Sequence, residues 1–98
     1  MLDNLNLEGF EWDEGNIDKN WLKHQVARDE SMEVFFDDDK IIIDDIHHSK
    51  QEPRYIIIGK TKRGRILYVS FTIRHNNIRV ISARDINQKE RTLYEKIT

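Results

Sequence analysis

Three segments rich in Ile, Val, Tyr and Phe follow one another between Arg54 and Ile86 with little chain between them, and no other feature constrains the fold as much. Residues Arg54–Lys60, Arg65–Arg74 and Ile78–Ile86 carry the β-branched and aromatic content of strands. Gly64, in Lys62-Arg63-Gly64-Arg65, and the pair Asn76-Asn77 supply residues suited to tight turns, so both connections read as hairpins and the three strands as an antiparallel meander. Lys40–Asp44 is a fourth strand. Gly9-Phe10-Glu11-Trp12-Asp13 alternates apolar with polar side chains and reads as a short edge strand whose partner stays open.

Between these strands the pattern is helical. Asp13 is placed to cap a helix running to about His24, with Ile17, Trp21 and His24 on one face at i, i+4, i+7 spacing. A second helix, about Arg28–Phe36, turns Met32, Phe35 and Phe36 inward, and Asp37-Asp38-Asp39 ends it because acidic side chains oppose the dipole at a helix C-terminus. Asn87-Gln88-Lys89-Glu90 resembles a capping box and opens a last helix carrying Leu93, Tyr94 and Ile97. The order β-α-α-β-β-β-β-α describes an α+β domain over residues 9–98, with the helices against one side of the sheet and residues 1–8 as a loose leader.

Ninety-eight residues suffice for one core, burying roughly 60–65% of the unfolded surface. No apolar run approaches the roughly 20 residues of a bilayer span, and the first residues lack a basic flank and a hydrophobic signal core. The expected location is the cytoplasm, without membrane association. The absence of cysteine excludes disulfides and thiolate zinc sites.

Charge is segregated along the chain. Residues 1–52 hold 15 Asp/Glu against 5 Lys/Arg, whereas residues 53–98 hold 3 against 11, so a net charge of −2 hides an acidic and a basic half. The basic half contains six arginines between Arg54 and Arg84. Guanidinium forks bind phosphate oxygens in pairs, which points to RNA or a phosphorylated ligand; the simpler reading of each cation is a solvated surface charge. Only four glycines are present and none forms a phosphate-cradling loop, which argues against a nucleoside-triphosphate site.

Strand periodicity restricts which arginines cooperate. Leu67, Val69, Phe71 and Ile73 share the expected core face, leaving Tyr68, Ser70, Thr72 and Arg74 opposite. Arg79 and Arg84, five apart, point opposite ways in a regular strand; either a bulge re-aims one, or Arg84 lies beyond the sheet. Lys60, Lys62, Arg63 and Arg65 cluster about the Gly64 hairpin. His48-Ser49-Lys50-Gln51-Glu52-Pro53-Arg54 gathers an imidazole, a carboxylate and a guanidinium, the groups needed to move protons beside a phosphate, although a loop histidine is more often only a surface residue. Asp44, Asp45, His47 and His48 are an alternative divalent-metal set, but their spacing matches neither an EF-hand nor a paired-His zinc helix, and no metal is assigned.

The ordered set Phe10-Glu11-Trp12-Asp13, Asn20-Trp21-Leu22-Lys23-His24, Glu33-Val34-Phe35, His48-Ser49-x-x-Glu52-x-Arg54, Gly59-Lys60-Thr61, Gly64-Arg65-x-Leu67, Arg79-Val80-Ile81-Ser82-Ala83-Arg84 and Glu90-Arg91-x-x-Tyr94-Glu95 resembles the BrnT toxins over about residues 9–95. The resemblance implies a RelE-like fold, metal-independent and cofactor-free ribonuclease activity that stops translation, and neutralisation by a BrnA-type ribbon-helix-helix antitoxin. A two-plus-two complex would bind operator DNA through that antitoxin. Gln25 stands where the family often has glycine after the Lys-His pair, and Ala27 where a Ser or Thr would cap the second helix. On this reading Arg65, Arg79 and Arg84 stabilise phosphorane charge, His48 is the acid or base, Glu52 orients it, and Arg54, Lys60, Lys62, Arg63 and Arg74 hold RNA. The competing class is a non-catalytic cationic module that only docks RNA or an acidic partner.

Overall fold

A computed structural model describes residues 9–48 and 52–97, so the expected leader over residues 1–8 lies outside the described residues. The elements are β1 (Gly9–Glu11), α1 (Glu14–His24), α2 (Arg28–Glu33), β2 (Ile41–Asp44), β3 (Arg54–Lys60), β4 (Ile66–Arg74), β5 (Asn77–Asp85) and α3 (Gln88–Ile97), in the order expected. They build a five-stranded sheet in the order β1-β5-β4-β3-β2. The β2–β5 neighbours are antiparallel, whereas β1 pairs in parallel with β5, joining Glu11 to Arg79 in register. The β4–β5 turn falls at His75-Asn76, both at positive φ (55° and 62°), one residue earlier than Asn76-Asn77.

Alternation along the strands divides the apolar residues between the two faces. Ile57, Leu67, Val69, Phe71 and Val80 pack against Val26 and Val34 of the helical segments. Phe35 sets its ring edge-on to Phe71 with centroids 5.0 Å apart, a favourable aromatic geometry. On the opposite face Ile41, Ile56, Ile58 and Ile66 pack against Tyr94 of α3. The helices therefore occupy both sides of the sheet, correcting the one-sided expectation: the even-numbered isoleucines of β3 need cover that α1 and α2 cannot reach.

Asp13 caps α1 through Oδ1, which accepts the Asn16 N–H at 3.0 Å, and Gln25 ends the helix at φ 54° without the help of a glycine. The side chain α1 buries is Asn20, not Trp21, which is 54% exposed. Asn20 Oδ1 accepts the Ala83 N–H at 3.2 Å, so a short polar side chain meets a backbone donor where an indole would leave it unsatisfied. The second helix is α-helical only to Glu33, and Val34–Phe36 tighten into a 3₁₀ turn that buries Val34 and leaves Phe36 exposed. Gly59 permits that turn to approach: a Cβ there would sit 2.7 Å from Val34 O. Ala27 offers no side-chain cap to α2, but Glu30 reaches back to its N–H at 3.0 Å.

Asp37 is more than a solvated terminator. Its Oδ2 accepts the Tyr94 hydroxyl at 2.6 Å and the Lys60 N–H at 2.8 Å, tying α3 to β3. The expected capping box of α3 is present, with Asn87 Oδ1 accepting the Glu90 N–H and Glu90 Oε1 accepting the Asn87 N–H.

Candidate nucleic-acid interface

A one-residue slip determines which arginines share a surface. Ser70 pairs with Ser82 and Phe71 with Val80, leaving Ile81 as the extra residue of a β-bulge in β5. The bulge reverses the alternation, so Arg79, opposite Thr72, and Arg84, opposite Tyr68, emerge on the same face. Arg54, also paired with Thr72, and Arg74 belong to that face by register. Four arginines thus border a floor of Tyr68, Ser70, Thr72 and Ser82 on the part of the sheet beside α3.

Ion pairs on this face couple Arg74, Arg79 and Arg84 to carboxylates. Arg79 donates from Nη1 to Glu11 Oε1 at 2.8 Å and from Nη2 to Asp13 Oδ2 at 3.0 Å. Glu11 Oε2 lies 3.2 Å from His75 Nδ1. Arg74 Nη2 contacts both oxygens of Glu52, at 2.9 and 3.1 Å. Arg84 binds Glu90 with two parallel bonds of 2.8 Å and stacks over Tyr68, its guanidinium 4.1 Å from the ring centroid. The hydrogen bond from His75, with that from Arg79, holds the Glu11 carboxyl below its ordinary value. Burial would raise Glu90, but hydrogen bonds from Arg84 and the Asn87 N–H outweigh it and leave its pKa lowered. Tyr68 is raised, mainly by burial and then by the Glu90 charge.

Arg65 does not belong to this surface. It reaches from the start of β4 over the opposite, helical face, donating to Asp85 through Nε and Nη2 at 2.7 and 3.0 Å. It also donates to Glu30 at 3.1 Å, to Gln25 O at 2.9 Å and to His24 O at 3.0 Å. Arg65 therefore cannot share a phosphate with Arg79 and Arg84, contrary to the expected trio, because the odd-numbered residues of β4 face α1 and α2. The Asp85 pair, then Glu30, raises the Arg65 pKa above its ordinary value.

Lys60, Lys62 and Arg63 are exposed around the Gly64 hairpin, away from the β4–β5 turn that closes the other end of the meander. In the loop, Glu52 is bound to Arg74; Ser49, Lys50, Gln51 and the His48 side chain lie outside the described residues. Among the described residues no three His, Asp or Glu side chains form a metal-binding group, and no helix is long and apolar enough to cross a membrane. The Glu11–His75–Arg79–Asp13 cluster was not legible in the sequence, since its members are up to 68 residues apart. The parallel pairing of β1 with β5 brings them together.

Comparison with solved structures finds the same architecture in the crystal structure of the ribonuclease toxin BrnT of Brucella abortus. The two are 26% identical, with a TM-score of 0.63 over 82% of this chain and 97% of that one. No curated protein matches the sequence. The family model for the BrnT ribonuclease toxin of type II toxin-antitoxin systems matches residues 12–90. With a match over most of its length and the same α+β fold, the chain belongs to the BrnT family of ribonuclease toxins of type II toxin-antitoxin systems.

Proposed function

We propose that the protein cleaves RNA without a metal ion, by attack of a ribose 2′-OH on the adjacent phosphate, on the sheet face that carries Arg79 and Arg84. The observation that supports this reading is the bulge at Ile81, which gives both guanidiniums one surface. Arg79 and Arg84 lie opposite residues four apart on β4, a separation of roughly 13 Å by strand rise, so they suit successive positions of an RNA strand better than one phosphate. Arg79 stabilises the phosphorane. Arg84, backed by Tyr68, holds a neighbouring phosphate, with Arg54 and Arg74 extending the track and Lys60, Lys62 and Arg63 adding distal attraction.

The carboxylates tune this surface. Glu11 and Asp13 fix the direction of Arg79, whose remaining N–H groups stay available to phosphate, whereas Glu52 and Glu90 compete with RNA for Arg74 and Arg84, so binding there exchanges a carboxylate for a phosphate and weakens as salt rises. A preorganised donor aimed at developing charge contributes about 3–4 kcal/mol of transition-state stabilisation. The loop motif offers His48 as an acid or base, with Glu52 near it in sequence; its side chain lies outside the described residues, and no step of the reaction is assigned to it. The biological outcome is arrest of translation in the cytoplasm, relieved by a BrnA-type ribbon-helix-helix antitoxin in a two-plus-two complex that binds operator DNA.

Antitoxin-free protein incubated with RNA in EDTA should give fragments ending in 2′,3′-cyclic phosphate and 5′-hydroxyl. Arg79→Ala should lower the rate about 10²–10³-fold. Intact RNA with the wild-type protein, or full activity in Arg79→Ala, would remove the proposal and favour a binding-only module.

A further inference from the structure

We propose that His75, oriented by Glu11 beside Arg79, accepts the 2′-OH proton in this reaction; the inference rests on the cleavage reading above. The cluster has the parts of a proton-transfer site in contact. One Glu11 oxygen meets Arg79 Nη1 at 2.8 Å and the other meets His75 Nδ1 at 3.2 Å, so a single carboxylate sets the positions of a guanidinium and an imidazole. The Glu11 carboxyl, held low by these two partners, is ionised at neutral pH and only accepts. Nδ1 must therefore carry the proton in this contact, which leaves Nε2 of a neutral ring with its lone pair outward. The His75 side chain is 77% exposed, open to a strand lying on the arginine face.

The backbone does not require histidine at this turn. His75 adopts φ 55°, a left-handed conformation that asparagine takes at least as readily. The side chain is instead the one imidazole of the described cluster placed within reach of Arg79, on the far side of the shared carboxylate.

The step balances with the groups named. The 2′-oxygen bonds to phosphorus as its proton passes to His75 Nε2, Arg79 compensates the charge on the non-bridging oxygens, and the bond from phosphorus to the 5′-oxygen breaks. The departing 5′-alkoxide takes a proton from water, and the hydroxide formed recovers the proton from the imidazolium. Glu11 on β1 is the positioning residue, with Asp13 fixing the other edge of Arg79. The charged groups linked to the ring are Glu11 from β1 and, through it, Arg79 from β5 with its Asp13 partner; Arg74, the preceding residue, is paired with Glu52.

The test compares full-length wild type, His75→Asn and Glu11→Gln on RNA in EDTA across pH, alongside thermal unfolding. His75→Asn keeps the turn and should retain its melting temperature while losing about 10²–10⁴-fold in rate and the acid limb of the pH–rate profile. Glu11→Gln should fall less and retain the limb. RNA with a 5′-sulfur leaving group, which needs no proton donor, should leave the His75→Asn defect in place. Rescue by that substrate would make His75 a donor and overturn the assignment, as would wild-type activity in His75→Asn. Wild-type protein that leaves RNA intact retires the cleavage reading and this inference together, whereas an active wild type with an active His75→Asn retires only the inference.

Discussion

Arg65→Ala separates an arginine that builds the fold from those proposed to meet RNA. The guanidinium closes the C-terminal end of α1 by donating to His24 O and Gln25 O, bridges to Glu30 at the start of α2, and forks onto Asp85 at the end of β5. Each carbonyl bond from a charged donor, and the Glu30 bond, contributes about 1 kcal/mol net at this partial exposure. The Asp85 pair is discounted to a few tenths, because the Asp85 side chain is 63% exposed and water replaces its partner readily. The sum is a loss of about 3 kcal/mol. For a domain of this size that corresponds to a fall of roughly 12–24 °C in melting temperature. Arg65→Lys should recover under half, since an ammonium cannot reproduce the planar fork. Urea titration followed by far-UV circular dichroism measures the loss, and cleavage per folded molecule at low temperature measures function. An Arg65→Ala protein of unchanged midpoint that cleaves nothing would refute the scaffold role and restore Arg65 to the chemistry.

Other expectations follow from single contacts. Gln25→Gly should stabilise the protein by roughly 0.5–1 kcal/mol, because Gln25 ends α1 at φ 54°, and a lowered urea midpoint would contradict this. Gly59→Ala should cost about 2–3 kcal/mol or prevent folding, as its Cβ would strike backbone of the Val34 turn, and a stability within 0.5 kcal/mol of wild type would contradict it. Tyr94→Phe should cost about 1–2 kcal/mol by removing the hydroxyl from Asp37, visible as faster amide exchange in α3. Burial opposes ionisation of Asp37, yet hydrogen bonds from Tyr94 and the Asp39 and Lys60 N–H groups lower its pKa; Asp85 is lowered first by Arg65. Both carboxyls titrate lower folded than unfolded, so their stabilisation is complete above about pH 5 and declines as pH falls through and below about 4. Acid titration of Asp37→Asn should show a weakened decline.

The strands were readable because β-branched residues recur at period two and only Gly64 and an Asn-rich turn interrupt them. Asp13 and the Asn87–Glu90 box announced two helix starts by their side chains alone. Trp21 misled because amphipathic spacing assigns the burial to apolar residues, whereas the sheet edge needed the amide of Asn20 for Ala83 N–H. The shared face of Arg79 and Arg84 depends on a bulge that their five-residue spacing allows but whose position at Ile81 has no composition signature. Glu11 and His75 meet through a parallel edge pairing, which local patterning does not encode.

The acidic and basic halves, separated at Pro53 in sequence, interleave in space on the arginine face. The carboxylate that connects His75 to Arg79 rides on β1, three residues long and joined to the sheet along β5 alone. Short edge segments open at lower free energy than the body of a domain. Phe10, stacked on Trp12 and set against Phe35, is what resists that opening. Warming should therefore fray β1 and withdraw Glu11 while the meander remains intact, so that the toxin becomes inactive, reversibly, before it melts.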